Sequence, residues 1–95
     1  MPESQWSRSP DAAHTDSGDR VVVLDLAARD PRPQILEGVA AVIWRLLAQP
    51  KTEPELVADL AEVYADADPH LIAGDVRAFL EQLAASNLAV RTAEQ

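Results

Sequence analysis

Pro33-Gln34-Ile35-Leu36-Glu37-Gly38-Val39-Ala40-Ala41-Val42-Ile43-Trp44-Arg45-Leu46-Leu47 changes its backbone preference halfway along. Its opening is extended, because Pro31 and Pro33 fix their own φ and bias Asp30 and Arg32 toward β. Helix begins at Gly38 or Val39. Val39, Val42, Ile43, Leu46 and Leu47 recur at helical spacing and form one apolar stripe. A short strand therefore feeds directly into a buried helix. Proline cannot donate to a ladder, so that strand, Pro33 to Leu36, belongs at the edge of a sheet.

Upstream, Arg20 to Leu26 carries Val21, Val22, Val23, Leu24 and Leu26. β-Branched residues suit a pleated surface, and a short apolar run bounded by turn signals suits a central strand. Asp16-Ser17-Gly18-Asp19 supplies the turn before it, since Asx side chains bond nearby backbone and Gly18 tolerates positive φ. Residues 12–15 offer a short first strand. Residues 1–11, rich in Ser, Pro and charge, are expected to form a flexible tail, with Trp6 their only large apolar residue.

Downstream, helix 1 should run from Val39 to Ala48 and stop before Pro50. Thr52-Glu53-Pro54-Glu55 is a capping box for a second helix reaching about Tyr64. Leu56, Leu60, Val63 and Tyr64 give its inner face, and Glu55, Asp59, Glu62 and Asp66 an acidic outer stripe. Asp68 caps a third helix with Pro69 at its first position, where the missing N–H costs nothing. Ile72, Val76, Phe79, Leu80 and Leu83 form its apolar stripe, and it should end near Ser86. Asn87 suits the left-handed closing position. Leu88 and Val90 are expected to fold back on the core, with 91–95 as a C-terminal tail. Strands first and helices after mean α+β: a small three-stranded antiparallel sheet followed by three helices, winged-helix-like, over residues 12–90.

The 95 residues carry a net charge of -8 and a single lysine, Lys51. Nucleic-acid binding needs clustered Lys and Arg, so this balance opposes it. Without cysteine, neither disulfides nor thiolate metal sites can hold the fold. No apolar run approaches the about 18 residues of a transmembrane helix. The N-terminus lacks a basic-then-apolar signal pattern, so a cytoplasmic location is expected. His14 and His70 are far apart, the three glycines are scattered, and no serine stands beside a histidine in a plausible triad. The sequence therefore predicts no enzyme, no metal and no cofactor. Trp44 flanks the helix 1 stripe and is most simply a core residue. What remains is an edge strand beside an amphipathic helix, and such an edge is used by adding an extended peptide as a further strand.

Five segments together resemble PqqD-like proteins. They are Val-Val-Val-Leu-Asp-Leu (21–26), Ile-Leu-Glu-Gly-Val-Ala-Ala-Val-Ile-Trp-Arg-Leu-Leu (35–47), Thr-Glu-Pro-Glu-Leu-Val-Ala-Asp-Leu (52–60), Asp-Val-Arg-Ala-Phe-Leu-Glu-Gln-Leu (75–83) and Asn-Leu-Ala-Val (87–90). PqqD-like proteins are the leader-recognition modules of ribosomally made, post-translationally modified peptides. The resemblance implies no catalysis and a leader peptide lying as an added strand in a cleft walled by helix 3. Carried onto this chain, the binding residues are Arg32, Pro33, Gln34, Ile35, Leu36 and Glu37 on the strand, with Ile72, Asp75, Val76, Phe79 and Leu83 on the helix. Leu36-Glu37 stands where the family usually has Leu-Asn. Where an aromatic often precedes that pair, this strand has Pro33, Gln34 and Ile35, which implies a differently shaped cleft.

The chain's length and its Ile43-Trp44 pair look most like the discrete recognition proteins of lasso-peptide clusters. Those proteins hold a leader for a separate leader peptidase and a macrolactam-forming cyclase. The pyrroloquinoline quinone type is the rival within the family. From other classes, a winged-helix DNA binder and a carrier protein modified at Ser17 remain. The carrier reading is opposed by Gly18-Asp19 and a strand where a long helix should start.

Overall fold

The computed structural model describes residues 4–93. In chain order its elements are β1 (Ser4–Arg8), β2 (Ala12–Asp16), β3 (Arg20–Asp25), β4 (Gln34–Glu37), α1 (Val39–Leu46), α2 (Glu53–Val63), α3 (Pro69–Ala85) and β5 (Ala89–Ala93). The apolar run after the Asx turn is the centre of an antiparallel sheet ordered β2-β3-β4. Gly18 takes φ 89° in the turn, and its N–H donates to Asp16 Oδ1 at 2.9 Å. Val21 and Val23 bury one face of β3, and Leu36 joins them from β4. This α+β arrangement of a three-stranded sheet with three helices is the fold class that the strand and helix order predicts.

Gly38 sits at φ 60° between β4 and α1, a left-handed conformation that glycine adopts without a Cβ penalty. The chain swings there from sheet edge to helix. The buried residues of α1 are Ala41, Ile43 and Trp44, with Leu47 following. The stripe is thus rotated from the expected one, and Val39 stays 36 % exposed at its rim. Both arms of the Thr52–Glu55 capping box form, at 2.9 and 3.2 Å. Asp68 accepts the His70 N–H at 2.9 Å to start α3. At the far end Asn87 takes φ 59°. The Asn87 N–H then donates to Ala84 O and the Leu88 N–H to Leu83 O, which closes the helix with a Schellman motif. Leu56, Leu60, Val76, Leu80 and Leu83 complete an aliphatic core around Trp44.

Three expectations are corrected. Residues 4–8 are no tail: they form β1, paired antiparallel with β5, Ser4 opposite Ala93 and Arg8 opposite Ala89. Residues 91–93 belong to β5 in the same way; the remaining tail positions, 1–3 and 94–95, lie outside the described residues. Trp6 carries the pairing physically, because burying it removes a large apolar surface from water. It is 4 % exposed, and its backbone bridges Lys51 through bonds of 2.7 and 2.9 Å. Val63 and Val90 face outward, at 58 % and 40 % exposure, and Ala89 rather than Val90 is buried beside Leu88. β5 pairs with β1, so alternation along the strand turns Val90 away from the core.

Two arginines fasten these layers. Arg8 donates from Nε and a terminal nitrogen to Trp44 O, at 3.0 and 2.7 Å, and lies 4.9 Å over the Trp44 ring. Burial lowers its pKa, and the field of Asp16 acts the opposite way. Arg45 grips both oxygens of Asp16, at 2.7 and 2.9 Å, tying α1 to the β2–β3 turn. Hydrogen bonding from Arg45, and then from the Gly18 backbone, holds the Asp16 carboxyl down at about 2.

Candidate functional site

Backbone parity decides what β4 can offer. At one end of the β2–β3 pair Ser17 N–H donates to Arg20 O, and at the other Leu26 N–H donates to Asp11 O. In an antiparallel ladder a residue's N–H and C=O point the same way, and alternate residues point oppositely. Arg20, Val22, Leu24 and Leu26 therefore face β2, and Val21 and Val23 face β4. Their partners are Leu36 and Gln34. These two bond inward, so Ile35 and Glu37 turn their N–H and C=O groups outward. Among the described residues no strand pairs with that outer edge. Ile35 also exposes 57 % of its surface.

A cleft of about 420 Å³ opens where β4 passes into α1. Its floor and walls come from Val39, Leu60, Tyr64, Leu71 and Ile72, and its polar rim from Asp66, Asp68 and Asp75. The size and the mostly apolar lining suit one large side chain of a ligand. Leu71 is 68 % exposed. Leu71, Asp75 and Phe79 are spaced at i, i+4 and i+8, so they share one row of α3 beside the buried row of Ile72, Val76, Leu80 and Leu83.

The eleven residues expected to bind a leader therefore fall into five groups. Ile35, Glu37, Ile72 and Asp75 lie at the free edge or on the cleft. Phe79 packs half-buried against the core in the row of Asp75. Val76 and Leu83 are fully buried and Leu36 nearly so, so these three support the site from inside. Gln34 bonds inward in the ladder. Arg32 and Pro33 precede β4, which starts at Gln34; Arg32 is exposed and pairs loosely with Asp30 at 3.4 Å. Val39, Leu60, Tyr64 and Leu71 on the apolar side, and Asp66, Ala67 and Asp68 on the rim, are the cleft residues that sequence reasoning missed. Leu71 had a signal, since it is a large aliphatic residue one step off the stripe. Val39 had none, because it begins the stripe itself.

A second hollow is more polar. It measures about 380 Å³ and lies among Ser9, Asp11, Asp25, Asn87, Ala89 and Val90, where carboxylates and an amide replace the apolar walls. Among the described residues no group of three His, Cys, Asp or Glu side chains could hold a metal. His14 stacks edge-on against Trp44, 5.7 Å between centroids, and His70 is exposed at the start of α3.

No curated protein matches this chain. A solved structure, TbiB1 in complex with the TbiA(beta) leader peptide, is similar with a TM-score of 0.76 and 29 % identity, over 87 % of this chain and 93 % of that one. The family model described as coenzyme PQQ synthesis protein D (PqqD) matches residues 20–89, from the first residue of β3 to the first of β5. On that match, spanning the sheet centre, the free edge and all three helices, the chain belongs to the PqqD family.

Proposed function

We propose that this protein is a non-catalytic adaptor that binds the leader segment of a ribosomally made precursor peptide and presents it to maturation enzymes. The observation that carries the reading is the free edge of β4: Ile35 and Glu37 turn complete donor–acceptor pairs outward, and Val39, two residues after Glu37, borders an apolar cleft. An extended peptide adding there gains backbone bonds from the edge and side-chain selectivity from the cleft. The likeness to a protein solved with a leader peptide supports the same use. Holding the leader raises its effective concentration at a partner enzyme, a task that requires no reactive group on the adaptor.

The Ile43-Trp44 pair favours lasso-peptide biosynthesis, with a leader peptidase and a macrolactam-forming cyclase as the enzyme partners. The family description keeps the pyrroloquinoline quinone precursor as the alternative cargo. The test is a titration of isotopically labelled protein with synthetic leaders of both precursor types, followed by amide hydrogen exchange. Protection of the Ile35 and Glu37 amides, with resonance shifts at Val39 and Leu71, is expected for the true cargo. Saturable binding that leaves those two amides exchanging freely would overturn strand addition at β4.

A further inference from the structure

Unpaired carboxylates gather at one end of the proposed docking edge. At the C-terminal end of β4 the cleft rim carries Asp66, Asp68 and Asp75, all exposed. None of them forms a salt bridge among the described residues, whose bridges are Arg32–Asp30, Arg45–Asp16, Lys51–Asp59 and Arg77–Glu53. Exposed Glu37 lies at the same end of the strand but directly opposite exposed Arg20 on β3, so it adds little to this excess. At the N-terminal end the loop entering β4 carries Arg29 and Arg32, both exposed. Arg32 is paired with Asp30, so the feature a peptide laid along the edge meets is the excess of carboxylates where its side chain enters the cleft.

We infer that the cargo segment seated here presents one large apolar side chain flanked, within two residues, by Lys or Arg. Asp66 and Asp75 are the residues that select for that cation. The inference rests on the strand-addition reading and goes further, because it fixes the chemistry of the ligand. The apolar floor of Val39, Leu60, Tyr64, Leu71 and Ile72 takes the anchor. An apolar anchor flanked by Glu would be drawn to the floor and repelled at the rim. Asp68 contributes less to selection, since one of its oxygens already accepts the His70 N–H. Potentials that match across a contact set specificity and encounter rate more than affinity.

The probe is a phage-displayed library of random 12-residue peptides, panned on the full chain at low salt. The panning is repeated on the Asp66→Asn/Asp75→Asn double variant and on Ile35→Pro. Asp68 is left alone because its side chain caps α3. Peptides selected on the wild type should carry a large apolar residue with Lys or Arg within two positions. Synthesised singly, they should bind the double variant about fivefold more weakly, and the difference should shrink in 0.5 M salt. Panning on the double variant should keep the apolar anchor and lose the cation. Selected peptides with no cation bias, or with the same bias on the double variant, overturn the inference and leave the leader reading standing. Peptides that bind Ile35→Pro as tightly as wild type overturn edge pairing itself. A library without any binder at micromolar concentration overturns both.

Discussion

Substituting proline at two adjacent positions of β4 separates the two sides of the strand. Ile35 turns its N–H outward and Leu36 turns its N–H toward Val21. In Ile35→Pro the ring removes a donor that nothing inside the protein uses, and Gln34 before it is already extended, as a residue preceding proline must be. The side chain is 57 % exposed, so little packing is lost. Fold stability should therefore be nearly unchanged. A bound peptide loses one backbone bond, about 1 kcal/mol net, and some fit at the lost isoleucine, together roughly 1–2 kcal/mol. That is a weakening of about 5- to 30-fold. Leu36→Pro acts on the other side. It deletes an inward ladder bond, about 1 kcal/mol, and trims a side chain only 4 % exposed, about 2 kcal/mol more at the low end for a core leucine. For a domain of this size the sum corresponds to a melting temperature lower by about 12–24 °C. Calorimetric titration of a leader peptide and thermal melts on both variants give the two readouts. A folded Ile35→Pro protein that binds like wild type would refute pairing of the leader to β4 at Ile35, and a Leu36→Pro protein that melts normally would refute the inward orientation of Leu36.

Phe79→Ala should cost about 2 kcal/mol, less than for a fully buried phenylalanine because Phe79 is only half-buried against the core; a chemical melt checks this, and an unchanged midpoint would place Phe79 free of the core. The folded-state pKa of Asp16 is about 2 against an ordinary 3.8. Such a depressed group stabilises the fold fully above its unfolded pKa and loses that contribution as pH falls through the folded one. Melting temperature should therefore drop between about pH 4 and pH 2 in wild type, and the Asp16→Asn variant should show a shallower slope over that window. Random duplex DNA should show no shift in a gel at micromolar protein and physiological salt, given a net charge of -8; a salt-sensitive shift would contradict this.

Much of the fold is legible in the chain because its signals are local. The Val21–Leu26 run, the Thr52–Glu55 capping box, Asp68-Pro69 and Asn87 each act within a few residues, and each element lies where those residues put it. β1 was illegible for the opposite reason. Ser4–Arg8 is polar apart from Trp6, and the strand exists because β5 lies beside it from the other end of the chain. The site was half legible. Prolines before Ile35 mark an edge, and parity then fixes which groups are free. Helical spacing alone cannot divide α3 between core and cleft, since the row of Leu71, Asp75 and Phe79 adjoins the row of Val76 and Leu83. Only the packing of α2 and α1 against it decides which row is covered.

The β1–β5 pair also determines how the protein would respond to being pulled. Ser4 lies opposite Ala93, so the first and last described residues sit at the same end of one antiparallel ladder. Tension applied across the termini would load the cross-strand bonds one at a time, as a zipper opens, rather than shearing all of them together. The ladder should part at low force from Ser4 inward, and Trp6 and then the Arg8 grip on Trp44 would yield next. Only then would the load pass through residues 9–11 into β2, so the sheet that carries β4 is loaded last and a precursor held along its edge would stay engaged through the first part of the extension.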